Sequence, residues 1–127
     1  MVTLAGLDDD VAAAALGLAA VLDAPKSFPT QPAVAPEIVD GELTPATIGD
    51  VISAHLPDNA IVSDEGITCG LELFLRTQGA AQHDWLAITG GSIGQGLPLS
   101  LGASLACPDR KVVAFQADGS AMYTVQA

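Results

Sequence analysis

Trp85-Leu86-Ala87-Ile88-Thr89-Gly90-Gly91-Ser92-Ile93-Gly94-Gln95-Gly96, running on into Leu97–Ala106, is the most informative stretch of this sequence. Trp85–Thr89 is predicted as a short apolar strand, residues 90–96 as a glycine turn, and Leu97–Ala106 as a helix with Leu97, Leu101 and Leu105 four apart. Almost every other position of that helix is apolar too, so it is expected to be buried all round. Trp85–Pro108 carries no charge, yet five Gly and two Pro punctuate it, which suits a buried strand–turn–helix better than a bilayer span. Glycines in such a turn let the backbone approach a ligand, and the N-terminus of the helix favours anions.

The same alternation continues on both sides. Thr44 is placed as an N-cap with Pro45 at the first helical position. The helix that follows carries Ile48, Val51 and Ile52 on one face and stops near Leu56-Pro57. Asp58-Asn59 turns into a strand at Ala60–Ser63, Gly66 breaks it, and Cys69–Thr77 is a further helix. Lys111–Gln116 is a third strand, and Asp118-Gly119-Ser120 opens a last helix. Apolar strands alternating with helices predict an α/β fold with a partial parallel sheet and flanking helices. Three such strands leave an open edge and bare apolar faces, so weak stability or association is expected.

The beginning of the chain has another texture. Leu7–Asp23 is predicted as a helix whose first turn is charged by Asp8, Asp9 and Asp10 and which Pro25 ends. Pro25, Pro29, Pro32 and Pro36 follow within a dozen residues, with few apolar anchors, as in an extended linker. The organisation read here is therefore a terminal helix (1–24), a proline-rich linker (25–40) and a globular part (41–127). No basic region precedes the first apolar run, so no signal peptide is expected. Cys69 and Cys107 match no metal spacing and are read as buried reduced thiols of a cytoplasmic protein. His55 and His83 are read as solvated.

Charge narrows the function. The 127 residues hold 15 acids against 4 bases, a net −11, with half of the chain hydrophobic. The apolar content argues against disorder, and the acidity against nucleic acid or an anionic membrane as partner. The acidic excess is segregated: residues 1–58 carry nine acids and one base, whereas from Leu86 onward Asp109 and Asp118 balance Arg110 and Lys111. The second half can therefore accept an anionic ligand. Ala117-Asp118-Gly119-Ser120, at the end of a strand, suits Mg²⁺ with a diphosphate: the carboxylate ligates the metal and the backbone N–H groups meet phosphate oxygens. An ordinary helix cap by Asp118 is the plainer reading of the same residues.

Two resemblances compete. Thr89-Gly90-Gly91-Ser92-Ile93-Gly94-Gln95-Gly96 fits the T-G-x-x-x-G-x-G pattern of the short-chain dehydrogenases, and Asp118 lies 22 positions after Gly96, about where an NAD ribose partner belongs. No Tyr-x-x-x-Lys accompanies it. The second resemblance rests on four ordered blocks: Gly41-Glu42-Leu43-Thr44-Pro45, Leu56–Gly66, Gly91-Ser92-Ile93-Gly94, and Asp118–Gln126. In this order they resemble the thiamine diphosphate enzymes, most of all the acetolactate synthase large subunit, with benzoylformate and pyruvate decarboxylases as relatives. The likeness covers residues 40–127, the first part of a C-terminal diphosphate-binding domain; residues 1–40 resemble the end of the preceding domain and its linker.

This resemblance implies roles. Asp118 falls on the first metal ligand of a G-D-G…N-N signature, with Gly119 and Ser120 on the diphosphate contacts. Gly91 falls where a carbonyl accepts from the cofactor's 4′-amino group, beside Ser92. Ile93 falls on the bulky apolar residue that bends the cofactor so that its 4′-imino nitrogen reaches C2. Glu65, Gly66 and Thr68 fall, as a looser match, on a loop that touches the cofactor; a plain loop residue is the other reading of Glu65 and Thr68. The cofactors implied are thiamine diphosphate and Mg, the substrate class is 2-keto acids, as in branched-chain amino acid biosynthesis, and the full-length enzyme is a homo-oligomer, dimer or tetramer. Departures are Ala117 for the first glycine of the signature, and no Asn pair within the nine residues after Asp118. The family's glutamate-bearing pyrimidine domain has no counterpart in these residues. No residue here is therefore assigned a catalytic role, and the chain alone is expected to be inactive. An inactive remnant with a structural role is a third reading.

Overall fold

The computed structural model describes residues 3–27, 29, 32–38 and 40–127. The expected linker, 25–40, thus falls partly outside the described residues. The chain divides into two units, residues 1–30 and 31–127. The first is a single helix, α1 (Val11–Val21), with the Asp10 side chain accepting from the Ala13 amide. The helix begins four residues later than its charge pattern suggests. Asp10 is its cap, and Asp9 instead closes a turn by accepting from the Gly6 amide at 2.7 Å.

The second unit is α/β. Its elements run α2 (Pro45–His55), β1 (Ala60–Glu65), α3 (Gly70–Thr77), β2 (His83–Ala87), a 3-10 turn (Thr89–Gly91), α4 (Gly96–Ala106), β3 (Val112–Gln116) and α5 (Asp118–Thr124). Thr44 caps α2 as expected, in a reciprocal box with Thr47, and Pro45 opens the helix. The three strands form one parallel sheet in the order β2-β1-β3. β1 is central and almost wholly buried.

Alternation along β1 sorts the two faces. Ala60 and Val62 point to a core with Leu56, Ala80, Trp85, Val113 and Phe115. Trp85 meets Phe74 of α3 edge-on at 5.3 Å and Phe115 at 5.5 Å between ring centroids. Helices α2 and α3 pack closely because Gly49 has no side chain; a β-carbon there would sit 2.8 Å from Arg76 Cβ. The opposite face carries Ser63 and Glu65 toward α4: the Ser63 hydroxyl donates to the Gly96 carbonyl at 3.1 Å. Arg110 ties the amino ends of the strands together, donating to the carbonyls of Asn59 and Ala60 and to Asp84.

Three expectations need correction, and helix α2 buries positions other than its apolar ones. Helix α4 is not buried all round: only Gly96 is buried, and Leu101 and Leu105 are exposed. It rests on β1, β3 and α5, and no other described element covers its outer side. In α2 the buried positions are Gly49 and Ser53, while Ile48 and Val51 are exposed, because contact with α3 selects the small residues. Cys69 and Cys107 are free but half-buried rather than buried. His55 is exposed as expected, but His83 is half-buried, 6.1 Å from the Trp85 ring and 2.7 Å from the Ala81 carbonyl through Nδ1.

Candidate functional site

In an open parallel sheet, ligands bind beyond the carboxyl ends of the strands, where connections from a central strand depart to opposite sides. Here that place lies between β1 and β3. Three loops meet there: Gly66–Cys69 after β1, Thr89–Gln95 after β2, and Ala117 before α5.

The glycine turn is shaped by left-handed backbone at Gly90 (φ 63°), Gly91 (φ 70°) and Gly94 (φ 91°). At Gly90 and Gly91 a β-carbon would meet nothing within 4 Å, so the backbone there stands open. At Gly94 it would lie 2.8 Å from Tyr123 Cβ, because α5 packs directly on the turn. The Thr124 hydroxyl adds a hydrogen bond to the Gly94 carbonyl at 2.8 Å, and the Gln95 side chain accepts from the Thr89 amide at 3.1 Å.

Under the turn lies Glu65, the last residue of β1, only 1% exposed. Its carboxylate accepts the amide of Gly94 and, at 2.6 Å, that of Gly96. Burial pushes this carboxyl up. The Gly94 and Gly96 amides, with the Gln116 and Ser120 side chains, outweigh burial and hold it below the usual glutamate range. Gln116 pairs with Glu65 across the β1–β3 ladder, and its Nε2 donates to the Ser120 hydroxyl at 2.6 Å. The Ala117 amide donates to the Glu65 carbonyl at 3.1 Å. The sequence reading placed Glu65 on a cofactor-touching loop. The structure turns its side chain inward instead, since odd-numbered residues of β1 face α4.

The other candidates fall as follows. Gly66 is half-buried at the end of β1, its amide donating to Asp64 at 2.8 Å. Thr68 is exposed in the turn that follows. Gly91 and Ser92 are exposed, and Ile93 is 47% exposed. Asp118 and Gly119 are exposed at the first turn of α5, whereas Ser120 is buried with its hydroxyl also donating to the Ala117 carbonyl at 3.2 Å. Asp118 is not the cap of α5; that position is Ala117, which has no side-chain bond to give. The structure therefore brings the 89–96 turn and the 117–120 turn to one end of the sheet, linked by Glu65 and Gln116. Gln116 was missed by sequence reading; its signal is only that it is a polar residue ending an otherwise apolar strand.

Strand order also removes the dinucleotide reading. In the Rossmann order 3-2-1-4-5-6, the strand after the glycine turn pairs with the strand before it. Here β2 and β3 are separated by β1, so Asp118 is not in the position of a ribose partner for the Thr89–Gly96 turn.

Residues 71–127 match the family described as "Thiamine pyrophosphate enzyme, C-terminal TPP binding domain". This part of the chain belongs to that family. Over 115 residues (88% of the chain, 22% of the relative) it is 49% identical to a Mycobacterium tuberculosis H37Rv protein described as "Putative acetolactate synthase large subunit IlvX". It is 36% identical over 103 residues (81% and 19%) to benzoylformate decarboxylase of Pseudomonas aeruginosa. It is 37% identical over 81 residues (61% and 14%) to the acetolactate synthase isozyme 1 large subunit of Escherichia coli K12. The chain thus spans about a fifth or less of the length of these relatives. No solved structure is a significant match. No helix among the described residues is long and apolar enough to cross a membrane.

The residues fit the diphosphate end of a thiamine cofactor. The turn at Gly90-Gly91 offers open backbone, and the first N–H groups of α5, beside Asp118, have no partner within the helix. No cluster of three His, Cys, Asp or Glu able to hold a metal exists among the described residues. A lone Asp118 does not make a protein cage. It does suit Mg²⁺, which keeps most of its ligands as waters and substrate phosphates.

Proposed function

We propose that this chain binds the diphosphate of thiamine diphosphate, with Mg²⁺, in the crevice between β1 and β3, as part of an acetolactate synthase-like 2-keto acid carboligase or decarboxylase. The observation that carries the reading is the meeting, at one end of the sheet, of an open glycine turn with the exposed carboxylate that begins α5. Asp118 holds the metal against the diphosphate, and the Gly119 and Ser120 amides donate to phosphate oxygens. The Ser120 hydroxyl is occupied by Gln116 and Ala117, so its backbone, not its side chain, is the donor assigned here.

Gly91 offers its carbonyl to the aminopyrimidine, flanked by Ser92, and Ile93 supplies the apolar wedge. Gly66 and Thr68 border the crevice from β1. When bound, the cofactor supplies an electron sink for cleavage and formation of bonds at a keto carbon. The balanced charge from Leu86 onward favours an anionic ligand in an otherwise acidic chain.

Turnover is assigned to a full-length enzyme, a homo-oligomer (dimer or tetramer), because this reading gives the metal one carboxylate, Asp118, and finds among the described residues neither the signature's Asn pair nor the family's glutamate-bearing domain. The reading extends, through the family resemblance, to a cytoplasmic enzyme of branched-chain amino acid biosynthesis. In organisation it takes residues 41–127 as the cofactor-binding part, 25–40 as linker and 1–24 as the end of a preceding domain.

Calorimetric titration of the 127-residue chain with thiamine diphosphate tests this. Binding is expected only with Mg²⁺ present, weakened about tenfold or more by Asp118→Asn with no change in melting temperature. Metal-independent binding, or an unchanged affinity in Asp118→Asn, would overturn it. Turnover of pyruvate by this chain alone would overturn the assignment to a larger assembly.

A further inference from the structure

A turn rich in glycine does not hold itself. Gly90, Gly91 and Gly94 are left-handed, which only fixes which conformations are cheap, and a β-carbon at Gly90 or Gly91 would meet nothing within 4 Å, so no packing selects one there; the Thr124 and Gln95 side chains each add one bond. What selects it lies beneath. Glu65 puts both carboxylate oxygens on the turn, one on the Gly94 amide and one on the Gly96 amide. These two amides bracket Gln95, so a single rigid group fixes the exit of the turn and the start of α4 together.

We propose that Glu65 is a positioning residue: its buried carboxylate clamps the Gly94 and Gly96 amides, and so sets the geometry of the turn that presents Gly91, Ser92 and Ile93. The clamp also reaches the other half of the crevice. Glu65 stands beside Gln116 in the β1–β3 register, and Gln116 holds Ser120 at 2.6 Å. The Ala117 amide bonds to the Glu65 carbonyl from the opposite direction. One residue thereby fastens the glycine turn and the 117–120 turn to the same strand end. Only the purpose of the turn rests on the cofactor reading above; the clamp itself does not.

The chemistry asks for a carboxylate. Two converging N–H donors need two acceptors, and a buried glutamine offers one oxygen while turning an N–H₂ toward the second donor. Aspartate keeps the charge but is one methylene short of both amides. Gly96 shows how close the fit is: a β-carbon there would lie 2.6 Å from Glu65 Oε2 and 2.8 Å from Gln116 Oε1.

Amide hydrogen exchange on the full ¹⁵N-labelled chain, without cofactor, tests the clamp in wild type, Glu65→Gln and Glu65→Asp. The expected result is exchange at Gly94 and Gly96 at least about tenfold faster in both variants, with Val62 and Val113 in the sheet unchanged. A purely stabilising residue would instead speed exchange throughout the sheet. Equal exchange at Gly94 and Gly96 in wild type and Glu65→Gln would overturn the proposal. If Glu65→Gln does not fold, the wild type alone decides: scalar couplings across the hydrogen bonds from both amides to Glu65 Cδ support the clamp, and their absence overturns it. A second arm titrates each variant with Mg²⁺ and thiamine diphosphate. Affinity about tenfold weaker in Glu65→Gln is expected, and unchanged affinity despite faster exchange would overturn the positioning role. Failure of the wild type itself to bind would count against the cofactor reading, while exchange still decides the clamp.

Discussion

The Gly96 amide lies 2.6 Å from Glu65 Oε2, and a β-carbon on Gly96 would fall at that same distance from the same oxygen. Position 96 is thus glycine for lack of room. Its place at the start of α4 needs no left-handed backbone, since the positive-φ glycines are Gly90, Gly91 and Gly94.

Gly96→Ala should therefore destabilise the domain by about 1–3 kcal/mol, the usual cost of overpacking a site whose neighbours cannot retreat. Glu65 and Gln116 are both held in hydrogen bonds, so neither moves without giving one up. Urea unfolding followed by tryptophan fluorescence checks this through Trp85, the chain's one tryptophan. Gly102→Ala is the control: it is in the same helix, with nothing within 4 Å of a β-carbon, and should stabilise by a few tenths to about 1 kcal/mol.

Acid should destabilise the fold through Glu65, which in the folded chain holds its charge to lower pH than an ordinary glutamate. Its folded-state pKa lies below the ordinary glutamate value because the Gly94 and Gly96 amides overcome burial. Between the folded and unfolded values the unfolded chain binds more protons, so stability falls as pH falls. The contribution is complete above the ordinary range, near pH 4.3, and is lost as pH drops through the lowered folded value. A urea-midpoint profile from pH 7 to pH 3 should show this descent, and Glu65→Gln should be less stable at pH 7 with a flatter acid limb. An unchanged acid limb in the variant would refute the assignment.

Fold class was readable because it depends on periodicity and punctuation. Thr44 and Pro45 begin α2, Gly66 follows β1, and each strand appears as an apolar run within two residues of its observed bounds. Burial was harder to read, because it depends on neighbours. The leucines at 101 and 105 look like core, yet the described elements leave them uncovered, whereas α2 buries Gly49 and Ser53, which hydrophobicity would never select. The site divides in the same way. Glycine and aspartate motifs announced the two turns, but the link between them was invisible. It depends on β1 lying between β2 and β3 and on the odd residues of β1 facing α4, which no local pattern encodes.

Arg110 closes the amino-terminal end of the sheet. Its Nε donates to the Asn59 carbonyl at 2.7 Å, and Nη2 donates to the Ala60 carbonyl at 3.0 Å and to Asp84 at 2.7 Å. The carbonyls matter more than the ion pair, since Asp84 is largely exposed. Arg110→Met should cost about 1–2 kcal/mol by leaving these acceptors without their donors. Arg110→Lys should recover less than half of that, because one ammonium cannot reproduce the fork. Asp84→Asn should change stability by less than about 0.5 kcal/mol. Melting curves of the three variants rank the contributions directly.

Ile67 is the strained residue of the crevice. It has φ 49°, a left-handed backbone that a β-branched side chain adopts only at a cost, and it is 53% exposed, so packing supplies little in return. Asn59 and Asp23, the other non-glycine residues with positive φ among the described residues, are of the types that tolerate it. Ile67→Asn should therefore stabilise the chain by about 0.5–1.5 kcal/mol, contrary to the usual effect of replacing an apolar residue. If the conformation at Ile67 serves only to turn the chain from β1 into α3, cofactor affinity should be unaffected by this change. If the strained loop shapes the crevice, stability should rise while affinity for thiamine diphosphate falls, the trade expected where strain is kept for a ligand. Denaturant unfolding and calorimetry on the same Ile67→Asn sample separate the two outcomes. A loss of stability would show that the left-handed conformation is not strained at all.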